Sequence, residues 1–209
     1  MKIAVVCANG KAGSLITDEA VKRGLDVTAI VRGENKTSAP HTLIKDILDI
    51  KAEDLKGFDA VIDAFGAWTP ETLHLHSDTL KVLCDALSGS NTRLIIVGRA
   101  GSLYVNKEHT MTLSQSPEFP DSFKPLASAM AKALSELRTR SDVNWTYISP
   151  AADFRPDGEH TGKYILAGEE FTVNAKGESV ISYADYAAAM IDEAVNSNHI
   201  RQRISVLGE

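Results

Sequence analysis

Short runs of consecutive apolar residues alternate along this chain with longer segments whose apolar positions recur every three to four residues. Ile3 to Ala8 is continuously apolar, and Leu25 to Val31, Thr42 to Lys45, Ala60 to Ala64, Arg93 to Val97, Trp145 to Ser149 and Arg203 to Leu207 read as further strands. Such runs, bounded by Gly, Pro, Asn or Asp, suit a parallel sheet buried on both faces. Between them, residues 11–23 set Leu15, Ile16 and Ala20 on one face before Gly24. Thr69-Pro70 offers a cap and a proline at the first helical position. The helix it predicts carries Leu73, Leu80, Leu83 and Leu87 inward. Residues 123–140 carry the stripe Ala129, Met130, Ala133, Leu134 and Leu137. Ser182 and Asp185 have the spacing of a capping box for a last helix over 183–196. The expectation is α/β: a doubly wound, mainly parallel sheet of six or seven strands, with helices on both faces.

No repeat or low-complexity tract divides the chain, so its 209 residues are read as one domain spanning 1–209. Periodicity weakens over 151–181, expected to be a substrate-side segment of loops and short strands. Residues 99–122 make a connection long enough to be expected to be functional or mobile. The net charge of −6 shows no basic face, which argues against a nucleic-acid partner. No leader pattern or membrane-length apolar stretch is present, so a cytoplasmic location is expected. Cys7 and Cys84 lack metal-ligand spacing and read as reduced core residues. His74 and His76, two apart, fall on different faces of their segment, and no metal is expected.

The turn after the first strand reads Cys7-Ala8-Asn9-Gly10-Lys11-Ala12-Gly13. Glycine there lets backbone approach a pyrophosphate, and the following helix N-terminus offers free N–H groups and the positive end of its dipole. The position directly after a strand and before a helix makes this a dinucleotide signal rather than an ordinary turn. At the end of the second strand, where NAD sites place a carboxylate for the ribose 2′-hydroxyl, stands Arg32, with Lys36 close behind. A guanidinium suits a 2′-phosphate, so NADP(H) is expected over NAD(H), against the pull of nearby Glu34. The plain alternative for Arg32 is a solvated charge at a strand end.

These segments resemble the atypical short-chain dehydrogenase/reductases of the NAD(P)-binding Rossmann superfamily, nearest the NADH-flavin reductases and akin to the biliverdin reductase B-like proteins. CANGKAGS, EAVKRGLDVTAIVR, DAVIDAFG, VGRAGSLYV, WTYISPAADFRPDGEHTGKY, GESVISYADYAAAMIDE and RQRISV carry the resemblance over nearly the whole chain. It implies a Rossmann-type fold. By position it also implies pyrophosphate at Gly10 to Gly13, adenosine ribose phosphate at Arg32, and adenine beside Asp46 and Ile47. The adjoining ribose would lie at Ala64, Phe65 and Gly66, and the nicotinamide beside Val97, Gly98, Ser149, Pro150 and Ala151. The chain departs from the family at three places. Cys7 stands where the loop normally opens with glycine. The Tyr-x-x-x-Lys pair reads Ser128-Ala-Met-Ala-Lys132. Arg99 replaces a usual glycine.

Without that tyrosine, carbonyl reduction by the usual proton relay has little support. Hydride transfer to a flavin asks the protein mainly for orientation. The expected function is therefore an NAD(P)H-dependent oxidoreductase acting on a small-molecule acceptor, a flavin or similar conjugated ring. A binding-only redox sensor of the NmrA type is the alternative. Ser102 is read as a hydrogen-bond partner of the acceptor or as a turn serine, and Lys132 as a catalytic or a solvated helix lysine. His160 is read as a specificity residue or a surface one. Arg99 is read as binding an acidic substrate group, as covering the cofactor phosphates, or as a surface ion pair.

Overall fold

The computed structural model describes residues 1–209. Eight strands form one sheet: β1 (Lys2–Val6), β2 (Asp26–Val31), β3 (His41–Ile44), β4 (Ala60–Asp63), β5 (Arg93–Val97), β6 (Asn144–Pro150), β8 (Ile165–Ala167) and β10 (Gln202–Leu207). A small parallel pair, β7 (Asp153–Arg155) with β9 (Val180–Ser182), stands apart from it. The order across the large sheet is β3-β2-β1-β4-β5-β6-β10-β8, all parallel except β8, which runs antiparallel to β10. Helices α1 (Lys11–Lys22) and α4 (Tyr183–Asn196) cover one face, while α2 (Leu75–Leu87) and α3 (Lys124–Leu137) cover the other.

The apolar pattern explains this arrangement. In β1, Ile3 and Val5 enter the α1/α4 core, while Ala4 and Val6 enter the α2/α3 core; all four are buried. Both strand faces must therefore be apolar, which is why the strands read as continuous runs. On the α1/α4 side the sheet packs against Ile16 and Ala20 of α1 and Tyr186, Met190 and Ile191 of α4. On the other side it packs against Leu80, Leu83 and Leu87 of α2 and Ala133, Leu134 and Leu137 of α3. The expected doubly wound sheet is present, with one more strand than foreseen, the antiparallel edge β8. No helix is long and apolar enough to cross a membrane.

Several local expectations change. Thr69-Pro70 opens a single 3₁₀ turn, Pro70–Thr72, and α2 begins only at Leu75. Ser182 caps α4 as expected, its Oγ accepting from the Asp185 N–H at 3.0 Å. The other half of the box is absent. The Asp185 carboxylate instead accepts from the N–H groups of Thr161 and Gly162 and from the Thr161 hydroxyl, at 2.8–2.9 Å. It thereby fastens the 158–164 loop to the first turn of α4. The 99–122 connection carries 3₁₀ turns at Ala100–Ser102 and Leu113–Gln115 and runs into a third, Asp121–Phe123. It is pinned where Tyr104 N–H donates to Glu169 O and Phe171 N–H donates to Tyr104 O.

Candidate active site

The sheet order reverses between β1 and β4, and ligands of such sheets bind outside the carboxyl ends of the strands at that switch point. A cleft of about 990 Å³ opens there. Its walls come from the segments following β1, β2, β3, β4 and β5, together with Phe154 of β7, Pro156 and Tyr183 of α4.

At the β1–α1 turn, Cys7 lies in the left-handed region at φ +59°. This is the conformation for which glycine is favoured, so a strained cysteine stands here where the resemblance implies glycine. Gly10 N–H donates to Cys7 O at 3.0 Å and closes the turn. Gly10 is the N-cap of α1, carries no side-chain cap, and is followed by a first turn with no acidic residue. The leading N–H groups and the positive dipole end of α1 are therefore left for an anion. A Cβ on Gly13 would lie 2.6 Å from Cys7 O and 3.0 Å from Ala8 Cα, both backbone atoms. Gly13 thus seats α1 against β1, while Gly10, Lys11 and Ala12 face the cleft. This glycine cradle and uncapped helix end fit a pyrophosphate.

Cys7 also corrects an expectation. It lines the cleft half-buried instead of sitting in the core, although Cys84 is buried as foreseen. Burial, with help from the Asp63 carboxylate, pushes the Cys7 thiol up to about 12, so it stays protonated and unreactive. Asp63 itself is pushed up to about 6 by burial, opposed by the Phe65 N–H that it accepts at 3.0 Å. That bond holds the Ala64-Phe65-Gly66 turn on the cleft wall.

Asn9 does something the sequence did not suggest. Its side chain donates to Glu34 O at 2.8 Å and accepts from Lys36 N–H at 2.9 Å. It fastens the phosphate turn to the loop after β2 and so fixes Arg32 between them, exposed and on the cleft wall. Lys45, Asp46, Ile47 and Leu48 follow β3 on the same side. Lys45 is held at 2.6 Å by Asp54, and Asp46 caps its turn by accepting from Leu48 N–H at 2.9 Å.

The other end of the cleft is aromatic. Trp68, Phe154 and Tyr183 line it, with Arg99 between the first two. Phe154 stacks on Tyr183 at 3.9 Å, an arrangement set by β7 pairing with β9 directly before α4. None of the three aromatics stood out in the sequence. They come from distant segments, and no local pattern separates them from core or surface residues.

The remaining sequence-based assignments divide. Val97 lines the cleft, but Gly98, Ser149, Pro150 and Ala151 do not. A Cβ on Gly98 would lie 2.3 Å from the Tyr147 ring, so this glycine serves packing of β5 against β6. Ser149 and Ala151 are buried at the end of β6. Ser102, Lys132 and His160 also lie off the cleft wall. Ser102 ends a 3₁₀ turn, and its carbonyl accepts from Arg203. Lys132 is an exposed helix lysine paired with Glu136 at 2.6 Å, and Ser128 beside it is exposed. His160 sits 3.2 Å from the buried Asp185, at the N-terminus of α4. His76, near the aromatic end, is buried with Nε2 3.0 Å from Ala67 O. His74 is on the surface.

A doubly wound sheet with a glycine cradle, a free helix N-terminus and a basic residue after β2 defines a Rossmann-type dinucleotide-binding protein. The chain matches the model of a family described as NAD(P)H-binding over residues 7–196, and it belongs to that family. It is 45% identical over 212 residues to the Bacillus subtilis protein YwnB, covering 100% of this chain and 99% of the relative. A crystal structure from Streptococcus pneumoniae, of a protein described as "a putative NADH-flavin reductase", matches with 55% identity and a TM-score of 0.98 over 100% of both chains. One from Bacteroides thetaiotaomicron, described as a "putative epimerase", matches with 35% identity and a TM-score of 0.85, covering 99% of this chain and 96% of that one.

Proposed function

We propose that this protein is an NAD(P)H-dependent oxidoreductase that passes hydride to a flavin or similar conjugated acceptor, with NADPH used in preference to NADH. The observation that carries this reading is the cleft itself, lined by Arg32 and Gly10 and also by Trp68, Phe154 and Tyr183, which fits a dinucleotide with a ring acceptor beside it. When bound, the reduced nicotinamide supplies a hydride, which with one proton from solvent reduces the flavin ring by two electrons. The chain's own residues Trp68, Phe154 and Tyr183 would supply apolar surface to orient an acceptor beside the cofactor. The likeness to the Streptococcus pneumoniae protein supports the same chemistry. The pair Ser128 and Lys132, exposed and off the cleft wall, gives no support to a dehydrogenase relay.

The test is steady-state NADPH oxidation with FMN as acceptor. Turnover is expected in the wild type. Lys132→Ala is expected to change it by less than about tenfold, whereas a true general acid contributes roughly 10²–10⁴-fold. Collapse of turnover in Lys132→Ala would restore a proton relay. Good NADPH binding without any turnover would make the protein a dinucleotide sensor instead.

Cofactor choice has its own test. Arg32 on the cleft wall, beside the loop that Asn9 ties to the phosphate turn, supports its reading as the 2′-phosphate partner. NADPH is expected to bind about tenfold or more tightly than NADH, as one charge-assisted contact contributes ~1.5–3 kcal/mol. Arg32→Ala should remove most of that gap in a fluorescence titration. Equal affinities in the wild type would refute the assignment.

A further inference from the structure

We propose that Arg99 is the acceptor-binding cation of this cleft: a guanidinium held by two aromatic rings that binds the anionic group of a planar conjugated acceptor, while Trp68 stacks on the acceptor's ring. The inference rests on the oxidoreductase reading and narrows its substrate class to acceptors bearing a phosphate or carboxylate.

The geometry supplies the argument. The Arg99 guanidinium carbon lies 4.5 Å from the Trp68 ring centroid and 5.6 Å from that of Phe154. Both are within cation–π range, so the guanidinium is attracted by two rings at once. The other cations of the cleft have assignments: Lys45 is neutralised by Asp54, while Lys11 and Arg32 stand on the phosphate turn and the strand end beside it. Arg99 alone is half-buried yet enters no ion pair and donates no side-chain hydrogen bond. Aromatic faces attract the charge but take up none of its N–H donors. The five N–H donors of this planar group therefore remain for a ligand, and such a fork matches a phosphate or carboxylate.

Position decides which ligand. Arg32 follows β2 and Arg99 follows β5, and the strands between them run β2-β1-β4-β5. Three strand spacings separate them by about 14 Å, so one marks the adenosine end of the cleft and the other the acceptor end. Trp68 is 58% exposed at that end. A large indole with one face on Arg99, its edge near Gly66 and much of its surface open is placed to stack against a flat ring.

FMN and riboflavin share the isoalloxazine ring and differ by a phosphate, so they separate charge recognition from stacking. Protein saturated with NADP⁺ is titrated with each, followed by flavin fluorescence, and NADPH oxidation is measured with each in parallel. FMN is expected to bind about tenfold or more tightly than riboflavin, as fits one charge-assisted contact. Arg99→Gln should remove that difference, leaving riboflavin and NADPH binding within about twofold of the wild type, an interval too small for a lost charge contact. Trp68→Ala should weaken both flavins, and Trp68→Phe should restore most of the loss. Equal binding of the two flavins by the wild type, no FMN binding, or an Arg99→Gln variant that loses NADPH affinity overturns the inference. FMN-selective binding without turnover upholds it while sinking the reductase reading. Turnover with equal use of both flavins does the reverse.

Discussion

Replacing Gly13 by alanine is expected to weaken NADPH binding at least about tenfold, equivalent to ~1.4 kcal/mol, and to lower thermal stability as well. The new Cβ would sit 2.6 Å from Cys7 O and 3.0 Å from both Ala8 Cα and Ala8 O. All three are backbone atoms of the turn that carries the phosphate site, so α1 must move away from β1. Forced overpacking costs about 1–3 kcal/mol, which for a domain of this size lowers Tm by roughly 2–12 °C. Gly13 is therefore a packing glycine as well as part of the phosphate turn, and both effects are expected together. Gly10 separates the two effects. Its φ of −71° suits any residue, and a Cβ there would meet only Cys7 O, at 3.3 Å. Gly10→Ala should thus keep Tm within about 3 °C, under ~1 kcal/mol by the same scaling, yet still obstruct the pyrophosphate. Fluorescence titration beside thermal melts makes the comparison. Unchanged NADPH affinity in a folded Gly10→Ala variant would place the pyrophosphate elsewhere.

The second large effect lies away from the cleft. Arg93, on β5, is buried, and its Nη2 donates to Glu193 Oε1 at 2.8 Å and to Thr146 Oγ1 at 2.7 Å. Glu193, from α4, also accepts from His199 N–H at 3.0 Å, and its Oε2 lies 2.7 Å from His199 Nδ1. Thr146 donates to His199 O at 2.6 Å. The cluster joins β5, β6, α4 and the turn before β10. It is also poorly satisfied, since Nε and Nη1 of Arg93 are buried with no partner. Removing Glu193 leaves a buried guanidinium with only a hydroxyl. Glu193→Ala is therefore expected to destabilise by ~3–5 kcal/mol, or about 6–20 °C in Tm. An apolar replacement of both partners, Arg93→Met with Glu193→Leu, should recover much of the loss, because no unpaired charge remains. Chemical denaturation checks both. A loss below about 1 kcal/mol for Glu193→Ala would show the charge to be hydrated or screened like a surface pair.

The sheet was legible in the sequence for a reason visible in β1. Its residues feed two cores alternately, so a continuous apolar run was the only pattern compatible with a parallel strand covered on both sides. The phosphate turn was legible because its parts are contiguous: a strand, two glycines three apart and a helix start occupy residues 3–13. That Arg32 would stand on the cleft wall was legible through its place at the end of the next strand. All of these are short-range relations that the order of residues carries by itself.

Only the tertiary structure decided what converges at the far end of the cleft. Trp68, Arg99 and Phe154 lie about 30 and 55 residues apart in sequence and meet because β4, β5 and β7 deliver them to one end of the cleft. A cation–π pair needs only a distance and a plane, neither of which leaves a trace in linear spacing. The same reason moved Ser102, Lys132 and His160 off the cleft wall. Each was placed by its neighbourhood in the chain, whereas helix phase and the Asp185 anchor set where two of the side chains stand. Backbone conformation was hidden too: nothing in the letters CANG announces that Cys7 adopts the left-handed turn a glycine would have made. What the residues determined alone was the scaffold and its phosphate grip. The chemistry at the far end came from side chains that only folding brings together.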